Sequence, residues 1–314
     1  MRRGGGDLLL RRTCRGRVTA LALTFALTFA SACGSPDDSG GAPPASPAPH
    51  QPGRSAPPSP ASTPDGRPSS PLAVTVSPFA VAGWWDGTRW VVADGSAPVP
   101  VEGGETYQIL HPDGTTATAT GSKLMEGCET DPGTSSVEIR GLRSDAPQPS
   151  LAVSGVEVPR PRPTAVLDPG SAVYRQAATA LLSERGIDDP DADVVQVLRA
   201  DLDGDGKDEV VVVAERIADR DLFAREGDYS LVFVRRLIDD RPVPSVVAES
   251  IPRTRPGETP FIVSHRVTAI ADLNGDGRME VAVYGRYYEG AGMQVHELRP
   301  DGSLPVVMEG GCGA

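Results

Sequence analysis

Asp201-Leu202-Asp203-Gly204-Asp205-Gly206-Lys207-Asp208-Glu209 leads into Val210-Val211-Val212-Val213. The pattern returns at Asp272-Leu273-Asn274-Gly275-Asp276-Gly277-Arg278-Met279-Glu280 before Val281-Ala282-Val283-Tyr284. Oxygen-bearing side chains stand at loop positions 1, 3, 5 and 9, with glycine at 4 and 6. Alternate spacing turns positions 1, 3 and 5 into one concavity, and glycine lets the backbone bend sharply at little steric cost. Ca²⁺ takes six to eight hard oxygen ligands at about 2.3–2.6 Å. The predicted side-chain ligands are Asp201, Asp203, Asp205 and Glu209 in loop one and Asp272, Asn274, Asp276 and Glu280 in loop two. Lys207 and Arg278, at position 7, can offer only their backbone carbonyls. Asp208 is expected to face solvent. Loop two has one fewer charge and is expected to bind more weakly, because affinity follows ligand charge.

An EF-hand loop would place a bidentate Glu at position 12 and run into a helix. Here position 12 is Val212 or Val283, inside a β-branched run that reads as a strand. Each loop therefore joins two strands. The alternative is a pair of Asp/Gly-rich turns with no ion. DLDGDGKDEVVVVA and DLNGDGRMEVAVYG resemble the calcium-loop repeats of FG-GAP/VCBS type, found in integrin-like propellers and extracytoplasmic bacterial proteins. The resemblance implies blade-like, four-stranded, calcium-stabilised units. Only two copies are evident, and a closed propeller typically needs four or more blades.

The N-terminus carries Arg2, Arg3, Arg11, Arg12, Arg15 and Arg17, then an apolar run from Val18 to Ala32. A basic region, a short apolar core and small residues before a cut site read as a secretory signal peptide over 1–32. The run is short of the roughly 20 residues that span a bilayer. Ala30-Ser31-Ala32-Cys33 resembles a bacterial lipobox, which implies a lipid on Cys33 and anchorage at the outer face of the cell membrane. The same triplet suits ordinary signal peptidase, which would give a secreted protein instead. Cys14 leaves with the signal peptide. If Cys33 is acylated, Cys128 and Cys312 remain to pair in an oxidising compartment. The chain-entropy account assigns such a long closed loop about 5 kcal/mol. Two separate small buried residues are the alternative.

The whole chain has a formal charge of −12. Six Arg against Asp7 give residues 1–32 a net +5, so removing them leaves −17. That balance argues against nucleic acid or an anionic membrane face as partner, and suits cations.

Residues 33–71 comprise Cys33 and a linker, with 12 prolines among the 38 residues from 34 to 71. Such a stretch buries too little apolar surface to offset its ordering entropy. Residues 72–163 read as a small β-domain with strands at Leu72–Val76, Val81–Trp85, Arg89–Ala93, Thr106–Leu110, Thr115–Thr120 and Val137–Gly141. Asp86-Gly87 and Asp113-Gly114 are hairpin signals. Residues 164–314 form a two-repeat domain. Ala172–Arg185 is its one helix, with Val173, Ala177, Ala180 and Leu181 as the apolar stripe and Gly186 as the stop. Strands follow near Val194–Ala200, Glu209–Ala214, Tyr229–Leu237 and Val243–Glu249. The second repeat runs Val263–Ala271, Glu280–Gly285, Met293–Leu298 and Leu304–Met308. The expected fold is mainly β, with two four-stranded antiparallel blades packed face to face and the helix covering an edge.

Other candidates carry less chemistry. Trp84, Trp85 and Trp90 surround the Asp86-Gly87 turn and read mainly as core on one face and an inter-domain contact on the other. A sugar platform, or cation–π pairing of Trp84 with Arg89, is the alternative. Tyr284, Tyr287, Tyr288 and Glu289 form either a recognition surface or a buried strand end. His111, His265 and His296 make no ligand or catalytic spacing. No G-x-S-x-G, H-E-x-x-H, C-x-x-C, P-loop or dinucleotide motif occurs.

The sequence thus points to an extracytoplasmic, lipid-anchored, calcium-stabilised module that binds a protein or carbohydrate of the cell envelope. An envelope hydrolase is the alternative. A cleft joining Tyr287, Tyr288 and Glu289 to His296 or His265, with a strongly shifted pKa, would favour it. A purely structural envelope protein is a third reading.

Overall fold

The computed structural model describes residues 72–75, 80–128, 133–140, 142, 150–154, 162–187, 190–219, 221–253, 257–258 and 260–313. Residues 1–71, with the expected signal peptide, Cys33 and the proline-rich linker, lie outside the described residues. Those described form a mainly β fold of antiparallel sheets with one helix. Among them, no helix is long and apolar enough to cross a membrane.

The first sheet takes β1 (Leu72–Thr75), β2 (Val81–Trp85), β3 (Trp90–Val92), β4 (Thr106–Leu110) and β5 (Thr116–Thr120). The two-residue strands β6 (Met125–Glu126) and β7 (Ser135–Ser136) pair with each other. β8 (Leu151–Ser154) inserts between β1 and β4, giving the order β3-β2-β1-β8-β4-β5. Of the strand expected over Val137–Gly141, Gly141 lies outside the described residues, and 137–140 form no regular strand: Ile139 makes an isolated bridge to Gly121.

β9 (Ala165–Val166) precedes helix α1 (Ala172–Glu184). β10 (Val194–Ala200), β11 (Glu209–Arg216), β12 (Tyr229–Ile238) and β13 (Arg241–Ser250) then form the first repeat, to which β9 adds a fifth strand. The β12–β13 hairpin turns on Asp239 and Asp240, both at positive φ, a conformation Asp tolerates better than most residues. β14 (Ser264–Ala271), β15 (Glu280–Tyr287), β16 (Gly290–His296) and β17 (Val306–Gly313) form the second repeat as a four-stranded meander.

The second-repeat sheet lies between the other two. Ala269, Ala271, Ala282, Tyr284, Met293 and Met308 pack against Ala82, Leu110, Leu151 and Val153 of the first sheet. On the other side, Val267, Ile270, Val281 and Val283 meet Leu198, Val211, Val213, Val232 and Val234 of the five-stranded sheet. The two repeats therefore pack face to face, as the sequence predicts. β17 approaches β2 closely: a Cβ on Gly310 would lie 2.7 Å from the Ala82 Cα. Only a glycine fits there.

The helix covers a face of the five-stranded sheet and not an edge. Ala178, Leu181 and Leu182 pack on Val197, Val212, Leu231 and Phe233, with Tyr174 and Ala177 beside them. That stripe, 174-178-181-182, is rotated from the predicted one, and Val173 and Ala180 face solvent. Gly186, at φ 80, closes the helix as expected.

The tryptophans divide as the core reading requires. Trp84 is buried among Val81, Tyr107 and Ile139 on the outer face of the first sheet. Trp85 and Trp90 meet edge to face at 5.1 Å and pack toward the second repeat. The turn between them spans four residues because the Asp86 carboxylate accepts hydrogen bonds from the Thr88 and Arg89 amides, 2.9 Å each. Arg89 pairs with Asp86 rather than stacking on Trp84.

Cys128 and Cys312 form the disulfide, closing 184 residues of sequence separation and tying β17 to the β6–β7 segment. Replacing both by serine is expected to lower the unfolding free energy by about 3–5 kcal/mol in urea titrations. An unchanged midpoint would show that the bridge adds nothing to the packing of β17.

Candidate metal centre

Each loop closes a hairpin in the same register. Ala200 pairs with Glu209 across β10–β11, and Ala271 pairs with Glu280 across β14–β15. Within the loops the hydrogen bonds match position by position. Asp201 accepts from the Gly204 amide at 2.7 Å and the Gly206 amide at 3.2 Å. Asp272 accepts from Gly275 at 2.6 Å and Gly277 at 2.9 Å. Position 3 caps position 5, through Asp203 on the Asp205 amide and Asn274 on the Asp276 amide. Position 5 caps position 7, through Asp205 on Lys207 and Asp276 on Arg278. The four loop glycines have φ between 77 and 85, which removes the Cβ penalty at each bend. The acidic residues thus shape their own turns before any ion is considered.

The glutamates at position 9 anchor the loops from below. One oxygen of Glu209 accepts the Leu202 amide at 2.8 Å, and one of Glu280 accepts the Leu273 amide at 2.7 Å. Leu202 and Leu273 are themselves buried, so position 2 plugs each loop into the core. The sequence reading missed this role, although an apolar residue between two acids at position 2 of both copies is its signal. Asp208 is exposed, as predicted, and pairs with Arg199 at 3.2 Å. Its counterpart Met279 is buried.

Loop one brings Asp201, Asp203 and Glu209 together, with one carboxylate oxygen of each within 4.8 Å of the others. Asp205 is exposed and falls outside that group. Among the described residues loop two forms no equivalent acidic trio. Its position 3 is the neutral Asn274, buried beside Asp272 and Glu280. Burial pushes the Glu209 carboxyl up from 4.5 to about 7, with Asp203, Asp205 and Asp201 adding to it. Glu280 is only 1% exposed, and burial raises it well above its ordinary value, helped by Asp272 and Asp276. Asp272 is raised by burial too.

The donor set fits a hard cation. The Glu280 Oε1 is buried with no hydrogen-bond partner. An unpartnered carboxylate oxygen in a low-dielectric site is costly unless a proton or a cation satisfies it. Asp201, Asp203 and Glu209 would hold a cation in loop one, and Asp272, Asn274 and Glu280 in loop two. The ion would neutralise clustered carboxylates and stiffen the turns.

Arg162 joins the two loops. Its guanidinium donates to the carbonyl of Asp201, to that of Leu202 at 3.0 Å and to that of Gly277 at 2.9 Å. The Met279 amide also donates to the Leu202 carbonyl at 2.9 Å. No local pattern marks Arg162, which lies in a proline-rich stretch far from both loops in sequence.

The remaining candidates separate. Tyr284 is buried between sheets, whereas Tyr287 and Tyr288 are exposed. Tyr288 stacks on Phe261 at 5.0 Å beside Phe223. His111 bonds Ser150, and the His296 Nδ1 lies 3.0 Å from the Leu304 carbonyl. His265 meets Ser230 and lines a groove of about 760 Å³ together with Tyr287. Comparison with known proteins yields no matching family model, no matching curated protein and no matching solved structure.

A carboxyl raised in the folded state holds its proton more tightly there than in the unfolded chain. Its contribution to stability is full below the ordinary value and is lost as pH rises through the folded one. In chelator, stability is therefore expected to fall between pH 4.5 and about 7, the window of Glu209. Millimolar Ca²⁺ should flatten that fall, and urea midpoints against pH would measure both curves. Parallel curves with and without Ca²⁺ would count against a cation at these carboxylates.

Proposed function

We propose that this protein is a binding module of the cell envelope, its fold stabilised by calcium at the two loops. The observation that carries the reading is the buried, unpartnered Glu280 Oε1 in a loop whose hydrogen bonds repeat those of loop one. The likeness to FG-GAP/VCBS calcium loops supports the same ion. Extracellular sites of this kind bind Ca²⁺ at about 10⁻⁴–10⁻³ M. The ion's role is structural, because the carboxylates are already engaged in shaping their turns.

The basic, apolar and small-residue order of residues 1–32 and the cysteine that follows support export and lipid attachment at Cys33. The proline-rich linker would then hold the folded part off the membrane, where it meets a protein or carbohydrate ligand. The negative charge of the chain supports a partner other than nucleic acid.

A hydrolase is the second reading, favoured by the groove that joins Tyr287 to His265. Burial lowers the His265 imidazole from 6.5 to about 4. A group so far below neutrality is a weak general base, since catalytic groups work best with pKa near the operating pH. The groove is thus better suited to accepting hydrogen bonds than to removing protons.

Calorimetric titration of the mature chain with Ca²⁺ is expected to show two sites and a rise in melting temperature. Asp201→Ala and Asp272→Ala should each lower the melting temperature in Ca²⁺ and much less in chelator. Equal losses in both conditions would refute ligation. Cys33→Ala is expected to release the protein to the medium on fractionation, and unchanged membrane association would contradict lipid anchoring.

A further inference from the structure

One side chain touches both metal loops. The Arg162 guanidinium donates to the Asp201 and Leu202 carbonyls of loop one and to the Gly277 carbonyl of loop two, the last two at 3.0 and 2.9 Å. The register of β9 puts it there. Val166 pairs with Leu198 and Ala165 with Arg199. The chain running back from Ala165 therefore passes alongside Ala200 and on to loop one. Pro163 fixes the backbone φ of the next residue. Arg162 arrives beside Leu202 with its side chain only 18% exposed.

The loops themselves meet at this point. The Leu202 carbonyl accepts both from Arg162 and from the Met279 amide of loop two, the latter at 2.9 Å. Gly204 bends toward the junction. A Cβ there would lie 3.2 Å from the Arg162 Nη1 and 3.9 Å from the Gly277 carbonyl oxygen. A guanidinium carries its N–H donors in a rigid planar fork, so the carbonyls it holds are set in position relative to one another. A lysine ammonium has no such fork.

The needs of loop one alone do not account for Arg162. Its Nε lies 3.7 Å from an Asp201 carboxylate oxygen. A positive charge there opposes a cation among Asp201, Asp203 and Glu209. What the position supplies is a tie to Gly277, whose amide is held in turn by the Asp272 carboxylate at 2.9 Å. A continuous path thus runs from the Asp201 carbonyl, through Arg162 and Gly277, to an expected ligand of loop two.

We propose that Arg162 couples the two loops, so that a divalent cation held in one raises the affinity of the other. The inference rests on the calcium reading above and adds cooperativity to it. Ordering either loop fixes the guanidinium, and the other loop then has less freedom left to lose. Linkage makes the effect reciprocal: each loop strengthens the other by the same factor.

The test is a Ca²⁺ titration of the mature chain followed by NMR at the Gly204, Gly206, Gly275 and Gly277 amides. These report each loop separately, because each donates to the first aspartate of its own loop. Asp272→Ala disables loop two and is expected to weaken Ca²⁺ binding at loop one about five-fold or more. Arg162→Lys keeps the charge beside Asp201 and loses the fork. In that background Asp272→Ala should weaken loop one by about two-fold or less, with the Met279 bond as the remaining link. An arginine that only supports the structure would leave the two ratios equal. Asp272→Asn completes the same cycle if Asp272→Ala misfolds. Loop-one affinity indifferent to the loop-two substitution, or an equal drop in both backgrounds, would overturn the proposal and leave calcium binding standing. Amides that do not shift in millimolar Ca²⁺ would overturn the calcium reading and the coupling together.

Discussion

Glu209 and Glu280 begin the second strand of each repeat with a carboxylate that the fold has withdrawn from water. Each gives one oxygen to the backbone of its own loop. Each sits beneath further acidic groups rather than opposite a lysine or arginine. Burying a charge without a partner is among the most expensive things a fold can do, and the usual escapes are protonation or a bound cation. The loops above these glutamates therefore stand in tension with the sheets below them, because the β-branched runs that follow favour the burial that the carboxylates resist. A bound cation would resolve both demands at once. Arg162 extends the consequence, since it holds carbonyls of both loops and lets whatever orders one loop bear on the other.

The second-repeat sheet is the keel of the described structure. It buries one face on the first sheet and much of the other on the five-stranded sheet. The disulfide secures its last strand. Part of that second face borders the groove lined by His265, Tyr287, Gln294 and Glu309.

Much of this was legible because it is local. Asp and Gly spacing dictates the side-chain-to-amide bonds of the loops, so loop geometry followed from the two nonapeptides. Alternating β-branched residues marked β10 to β15 within a residue or two. What escaped depends on distant partners. β8, four residues between poorly patterned stretches, is central in its sheet yet carries no periodicity long enough to read. β16 and β17 run farther than predicted, through Gly290, Gly292, Gly310 and Gly311, because cross-strand pairing overrides the low strand preference of glycine. The helix was legible, but its buried stripe and the surface it covers are set by the sheet beneath. Arg162 and the contacts of Ser230 with Glu215 and His265 join residues that no sequence window contains.

The most direct measurement is a crystal structure grown in millimolar CaCl₂, with anomalous data collected to locate calcium. The account predicts one calcium touching Asp201, Asp203 and Glu209 and another touching Asp272, Asn274 and Glu280, the latter through the Oε1 that otherwise has no partner. Both loops free of anomalous density, with Glu280 satisfied by water or by a proton shared with Asp272, would contradict it.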